Sequence, residues 1–289
     1  MLYTFLVVKT CQEITNLNFN FMKTIKNVVQ LALVFSLLFS VTVYSQEDEK
    51  EEFKPVFLTI TTMHQTSDSD VDFSDWLETE KEYHDNVTMK NDMILGSGLY
   101  FHYFSEDNSE VIAVTVYGSW GDIEASGDRD SELVKAHWPD EDARSAYFKK
   151  RNSYYDAMHS DEIMVSLPFQ IDMTSESTEP MIFYVKKNIL GSGDGSGFKE
   201  YFENVTSKNK YVKGYFTHRH RYGANSRDLH EVFVFESFSD IEKAFDEDTR
   251  LSKEHWADEE KRKEFFEGYS KIFSGHGDAI YQNVPELVK

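Results

Sequence analysis

A chain of 289 residues with 51 acidic against 30 basic side chains, a net charge of −21, repels nucleic acid and anionic lipid, which removes polyanion binding from the functions to consider. At 40% hydrophobic and 15% aromatic residues, it has apolar surface enough for about two domains of 100 to 150 residues. The single cysteine, Cys11, excludes an internal disulfide framework and, lying ahead of the cleavage point expected below, thiol catalysis in the mature protein.

Residues 1–21 read as an upstream extension. Met22 is followed by Lys23, Lys26 and an apolar run from Val28 to Val43, the short positive region and apolar segment of a signal peptide spanning 22–45. Cleavage is expected after Ser45. The protein is therefore expected to be exported, periplasmic or secreted, with no stable membrane insertion after cleavage. Residues 46–54 form an acidic leader, and the rest divides into a first α+β repeat over 55–168, a linker over 169–179 and a second α+β repeat over 180–289.

In each repeat a β-branched and aromatic run, Val56 to Thr62 or Met181 to Val185, predicts a first strand. Apolar residues three and four apart then predict a helix, about Phe73 to Thr88 or Gly197 to Thr206. Two strands follow, Leu99 to Phe104 with Val111 to Tyr117, and Tyr215 to His220 with Glu231 to Phe235, around polar turns. The stretch after Asp122 or Asp240 reads as helix in two pieces, the second opening at Trp138-Pro139-Asp140-Glu141 or its counterpart. There, proline and acidic residues are helix-start signals. A last strand, Glu162 to Leu167 or Ala279 to Val284, closes the unit.

The two readings agree because the sequence repeats. Val111 to Phe148 aligns without a gap onto Leu229 to Phe266, an offset of 118, with 16 identities in 38 positions; duplication produces such a match. The densest part is His137-Trp138-Pro139-Asp140-Glu141 against His255-Trp256-Ala257-Asp258-Glu259. The element order is β-α-β-β-α-β, the ferredoxin-like split unit. A sheet with helices on one face must bury its other face, and the simplest partner is the sheet of the second copy. The fold class is thus α+β, two tandem ferredoxin-like units pairing as an intramolecular barrel, with a monomeric pseudo-dimer expected.

Element order, repeat number and the aromatic second helix resemble the dimeric α+β barrel superfamily over residues 53–287. That superfamily includes cofactor-independent monooxygenases, haem enzymes such as chlorite dismutases and dye-decolourising peroxidases, and muconolactone isomerases. The resemblance identifies no specific family and brings over no catalytic residue.

Six of the ten histidines fall into matched pairs, His102/His218, His137/His255 and His159/His276. An imidazole titrates near neutrality, so His102, His218, His137 and His255 are acid/base candidates. Trp138, Trp256, Asp140, Asp258, Glu141 and Glu259 instead read as a structural repeat motif at a helix entry. His218 and His220 would project together from a strand, but with no third ligand in view no metal site is assigned. Gly191-Ser192-Gly193-Asp194-Gly195-Ser196-Gly197 lacks the residues of a nucleotide loop and reads as a flexible connection. Asp68, Asp70 and Asp72 lack the glycine and glutamate of a calcium loop. Asn86-Val87-Thr88 and Asn204-Val205-Thr206 are glycosylation sequons only in a cell that glycosylates exported chains. No Gly-x-Ser-x-Gly elbow supports hydrolase chemistry.

The expected function is an exported small-ligand-binding or accessory module, with a small apolar or aromatic ligand, no cofactor and no nucleic acid. The alternative is a cofactor-independent oxidoreductase or isomerase of the barrel superfamily acting on an apolar or aromatic substrate, or a haem-binding protein. The discriminating feature is a water-poor cavity where a titratable side chain meets convergent polar groups.

Overall fold

In the computed structural model the described residues are 53–66, 72–173 and 178–289. The upstream extension, the signal peptide, nearly all of the acidic leader, and Asp68 and Asp70 lie outside them. Residues 54–289 make one compact unit. Its first repeat consists of β1 (Phe57–His64), α1 (Phe73–Asn86), β2 (Ile94–Phe104), β3 (Glu110–Tyr117), α2 (Trp120–His137), α3 (Glu141–Asn152) and β4 (Ser160–Ser166). The second consists of β5 (Ile182–Leu190), α4 (Ser196–Asn204), β6 (Gly214–Tyr222), β7 (Asp228–Phe235), α5 (Ser239–His255), α6 (Glu259–Tyr269) and β8 (Phe273–Asn283).

The eight strands close into an antiparallel barrel in the order β1-β3-β2-β8-β5-β7-β6-β4, with β4 returning to β1. Each repeat supplies four consecutive strands, and the halves join along two seams, β2 with β8 and β4 with β6. Two ferredoxin-like units thus pair their sheets within one chain. This explains why β3 is apolar on both faces. Ile112, Val114 and Val116 line the barrel interior, while Val111 and Tyr117, on the opposite face, are buried. Outside the barrel, Trp76 of α1 is fully buried and packs with Leu99 and Phe101 of β2, whose intervening Tyr100 points inward.

The corner between the two long helices differs from the expected one. His137 and Trp138 end α2 rather than begin α3: the Trp138 N–H still donates to the Val134 carbonyl at 2.9 Å, and the N-cap of α3 is Asp140, which accepts from the Ala143 N–H. Proline disfavours helical geometry in the residue before it, and Trp138 leaves the helix at ψ 77°. Repeat two makes the same corner with Ala257 in place of proline, Trp256 adopting ψ 72°, so the buried indole and the Asp cap define the corner.

The glycine loop is also more tightly held than its composition suggests. The Gly191 and Gly193 N–H groups donate to the carbonyls of Ile272 and Lys271 at 2.7 and 2.8 Å. A Cβ on Gly191 would lie 2.6 Å from the Lys271 oxygen, and one on Gly193 2.8 Å from the Ile272 nitrogen; glycine permits this backbone approach. The first part of the linker is docked as well. Ile171 bridges to Tyr215 through two backbone hydrogen bonds, and Phe169 packs its ring on Phe198 and Phe202.

Candidate functional site

The four histidine candidates occupy three environments. His137 and His255 sit at the helix corner, where one oxygen of Glu82 or Glu200 meets both the imidazole Nε2 and the neighbouring indole N–H, at 3.2 Å in repeat one and 3.1 Å in repeat two. The indoles stack on Tyr147 and Phe265 at 4.1 and 4.0 Å, and Arg144 and Arg262 donate to the Trp138 and Trp256 carbonyls. Asp140 and Asp258 cap the following helices, whose first turns contain Glu141 and Glu259. His102 lies near the end of β2, its Nδ1 accepting from the Ser105 N–H. His218 lines the barrel interior.

The register also corrects the pairing of His102 with His218. Tyr100 stands opposite Ile112 and His218 opposite His230. Because Ile112 and His230 are themselves 118 apart, the repeat-one counterpart of His218 is Tyr100, and His102 corresponds to His220. The apparent match at offset 116 arose from two histidines of one strand lying two residues apart.

A larger cavity, about 760 Å³, lies between the outer face of β5 and β7 and the helices α4, α5 and α6 of repeat two. Its walls are largely apolar, with Phe233, Phe235, Phe245 and Phe266 among them, and three carboxylates line it, Glu231 from β7, Asp248 from α5 and Glu259 from α6. Glu231 is 5% exposed and accepts hydrogen bonds from Tyr215 Oη and Asn188 Nδ2, both at 2.7 Å. The Asn188 Oδ1 is, among the described residues, the one buried side-chain polar atom without a hydrogen-bond partner. Native structures leave few such atoms, and incompletely closed polar networks gather at functional sites.

Burial lifts the Asp248 carboxyl to about 6, the charges of Glu231 and Glu247 adding to the rise and the Asn209 hydrogen bond opposing it. Asn209 Nδ2 holds the Asp248 Oδ1 at 2.7 Å and in turn donates to the Ala244 carbonyl. Desolvation, with help from nearby carboxylates, also raises the phenols of Tyr201, Tyr215 and Tyr269, so they stay protonated as hydrogen-bond donors. Lys186, Arg262 and Lys263 supply positive charge around the same space.

Repeat one uses the equivalent layer differently. At offset 118, Arg151 stands where repeat two has Tyr269, and Glu80 where it has Phe198. Arg151 grips both oxygens of the buried Glu80 at 2.9 to 3.1 Å and lies over the Tyr83 ring. Ala113 occupies the place of Glu231. The shared scaffold is locked by an ion pair in one copy and carries an acidic, aromatic-walled cleft in the other. Glu231, Asp248, Tyr215 and His230 were absent from the sequence-derived candidates; for Glu231 and His230 the available signal was divergence between copies, at Ala113/Glu231 and Ile112/His230, whereas Asp248 is matched by Asp130, which Asn91 holds at the same 2.7 Å, and differs from it in the cleft it faces.

Haem, implied as an alternative by the superfamily resemblance, requires room for a macrocycle and an axial ligand, commonly histidine, cysteine, methionine or tyrosine. The two requirements are met in different places. The cleft has no histidine, cysteine or methionine in its walls, and its tyrosines are biased against the phenolate. His218 and His230 lie in the smaller barrel interior of about 370 Å³, where an eight-stranded barrel holds side chains or one small ligand. The donor sets therefore do not fit haem.

No protein-family model and no curated protein matches the sequence. Among solved structures, the chain resembles a provisionally designated monooxygenase from Fusobacterium nucleatum subsp. nucleatum, with TM-score 0.51 and 9% identity over 80% of this chain and 94% of that one. A provisionally designated monooxygenase from Lactobacillus acidophilus matches at TM-score 0.46 and 10% identity, over 80% and 95% of the two chains. A chlorite dismutase variant from Candidatus Nitrospira defluvii matches at TM-score 0.47 and 11% identity, over 80% and 93%. Only the first score carries weight, and at its identity it shows a shared fold alone. The expectation of a small-ligand-binding or accessory module is nevertheless corrected: the fold-sharing structure from Fusobacterium nucleatum carries a provisional monooxygenase designation, and the cleft brings titratable groups together in an apolar enclosure. By fold, the chain is two ferredoxin-like units closed into one α+β barrel.

Proposed function

We propose that this protein is an oxidoreductase of the proton-abstracting kind, acting on a small apolar or aromatic molecule held in the cleft of repeat two. The observation that carries the reading is Asp248, a carboxyl lifted to about 6 in an aromatic-walled cavity. A base is most effective when its pKa lies near the working pH, where enough is ionised and each ion still takes a proton strongly. Asn209 fixes the carboxylate's orientation. The phenylalanines accept a ring, and Asp248 removes a proton from an acidified C–H or O–H of it. Lys186, Arg262 and Lys263 favour the resulting anion, while Tyr215 and Asn188 hold Glu231 by hydrogen bonds. With dioxygen as oxidant, a methylene flanked by aromatic rings becomes a ketone. Both C–H bonds break, one oxygen atom becomes the carbonyl oxygen, and the other leaves with the two hydrogens as water, so the conversion balances without an added reductant.

Oxygen uptake with a panel of hydroxyaromatic compounds, including ones with a methylene between two aromatic rings, tests the reading. At least one class is expected to be consumed, with Asp248→Asn lowering kcat about 10²- to 10⁴-fold and wild-type kcat rising with pH through about 6. An Asp248→Asn variant that keeps wild-type turnover, or a panel that is neither bound nor consumed, overturns it. Conversion without oxygen uptake would assign isomerisation through the same base.

Export belongs to the same proposal. It rests on Lys23, Lys26 and the apolar run Val28 to Val43, and N-terminal sequencing of the mature protein, expected to begin at Gln46, checks it.

A further inference from the structure

The barrel interior differs from the cleft in position and chemistry. Along the register of β6 and β7, His218 and His230 are direct cross-strand neighbours. Both line the cavity of about 370 Å³ among apolar side chains such as Ile60, Val185 and Phe216. Desolvation depresses His218 to about 4 and His230 to about 3, with Lys187 and His218 adding to the second effect. Both rings are therefore neutral at ordinary pH. No protein group hydrogen-bonds to either ring among the described residues, unlike His102, His137 and His255.

Packing does not demand this pair. The corresponding positions of repeat one are Tyr100 and Ile112, which face the same interior and show that the scaffold accepts an aromatic and an aliphatic residue there. With no protein partner and not enclosed by protein, the imidazole nitrogens open onto the cavity, where whatever occupies it must satisfy them. A neutral imidazole has one N–H donor and one bare nitrogen acceptor, so the cross-strand pair offers both kinds of group to the cavity. A hydroxyl group also donates and accepts. Of the charged lining residues, Lys289 commits its ammonium to the Thr88 and Asn91 carbonyls, and Lys187 and Glu162 are opposite in sign, which gives no preference for a charged ligand.

We infer that the barrel interior is a second ligand site, separate from the cleft, for a small uncharged apolar molecule bearing a hydroxyl group, held through His218 and His230. The inference stands independently of the oxidoreductase reading, because it uses neither Asp248 nor the space between sheet and helices.

The test compares 4-methylphenol with 1,4-dimethylbenzene, which has nearly the same shape but no hydroxyl. Binding to the full mature chain is followed by thermal shift and by the imidazole ¹⁵N signals. The phenol is expected to bind at least tenfold more tightly and to move the His218 and His230 ring signals. Discrimination should vanish in the His218→Leu/His230→Ile double variant and persist in Asp248→Asn. Equal affinity for the two compounds, or discrimination that survives the double variant, overturns the inference, as does phenol binding that leaves both rings unmoved. The last outcome assigns the phenol to the cleft. Should the double variant fail to fold, the wild-type ring signals decide alone: moved rings support the site and unmoved rings overturn it.

Discussion

Asp248 and the barrel histidines couple stability to pH in opposite directions. Asp248 binds its proton more tightly folded than unfolded, with a pKa of about 6 against 3.8, so as pH rises from about 4 to 6 its ionisation withdraws stability, about 3 kcal/mol in all. Asp248→Asn is expected to raise Tm near pH 7.5 and change it little near pH 4; thermal melts at the two pH values check this, and equal shifts would contradict it. His218 and His230 have folded values depressed to about 4 and about 3, so the unfolded chain binds more protons below about 6.5 and stability is lost as pH falls toward 4. The His218→Leu/His230→Ile variant should therefore lose less stability on acidification between pH 6.5 and 4 than the wild type. Glu231 and His230, and the true counterpart of His218, were hard to recognise in advance for a physical reason. Repetition draws attention to residues kept in both copies, such as His137/His255, whereas Glu231, His218 and His230 occupy places where the copies differ. Their roles depend on which face of a strand they take, and a slip of two residues was enough to match His218 with the wrong partner.

At the scale of elements, the helix corner of each repeat is built around its tryptophan. Trp138 and Trp256 are buried, stacked on an aromatic ring of the next helix and hydrogen-bonded to a glutamate of the repeat's first helix. Replacing either with alanine is expected to lower unfolding stability by about 3 to 5 kcal/mol, measured by urea denaturation. His137→Ala or His255→Ala should have a smaller effect, because each ring is about a third exposed. Asp258 accepts from the N–H groups of both Glu260 and Lys261, so Asp258→Ala should lower stability by about 1 kcal/mol. Pro139→Ala should be close to neutral, since Ala257 serves the same corner. Strand and helix order was legible in advance because alternation and three-four spacing survive in both copies. The corner was misread because proline and acidic residues signal a start without showing that the preceding helix runs on to His137.

At the scale of the molecule, the sheets meet within one chain, so closure should not depend on protein concentration. Tm is expected to stay constant over a hundredfold dilution, with a monomer in sedimentation; a concentration-dependent Tm would show that assembly between chains contributes. The seams bear a further liability. β2 must find β8, and β4 must find β6, yet the repeats present related edges, and another molecule carries the same two. During refolding at high concentration, the first half of one chain can therefore join the second half of another, giving an exchanged dimer with the same ladders as the monomer. Such a dimer would separate only by unzipping both seams, and would thus persist on dilution as a kinetically trapped species.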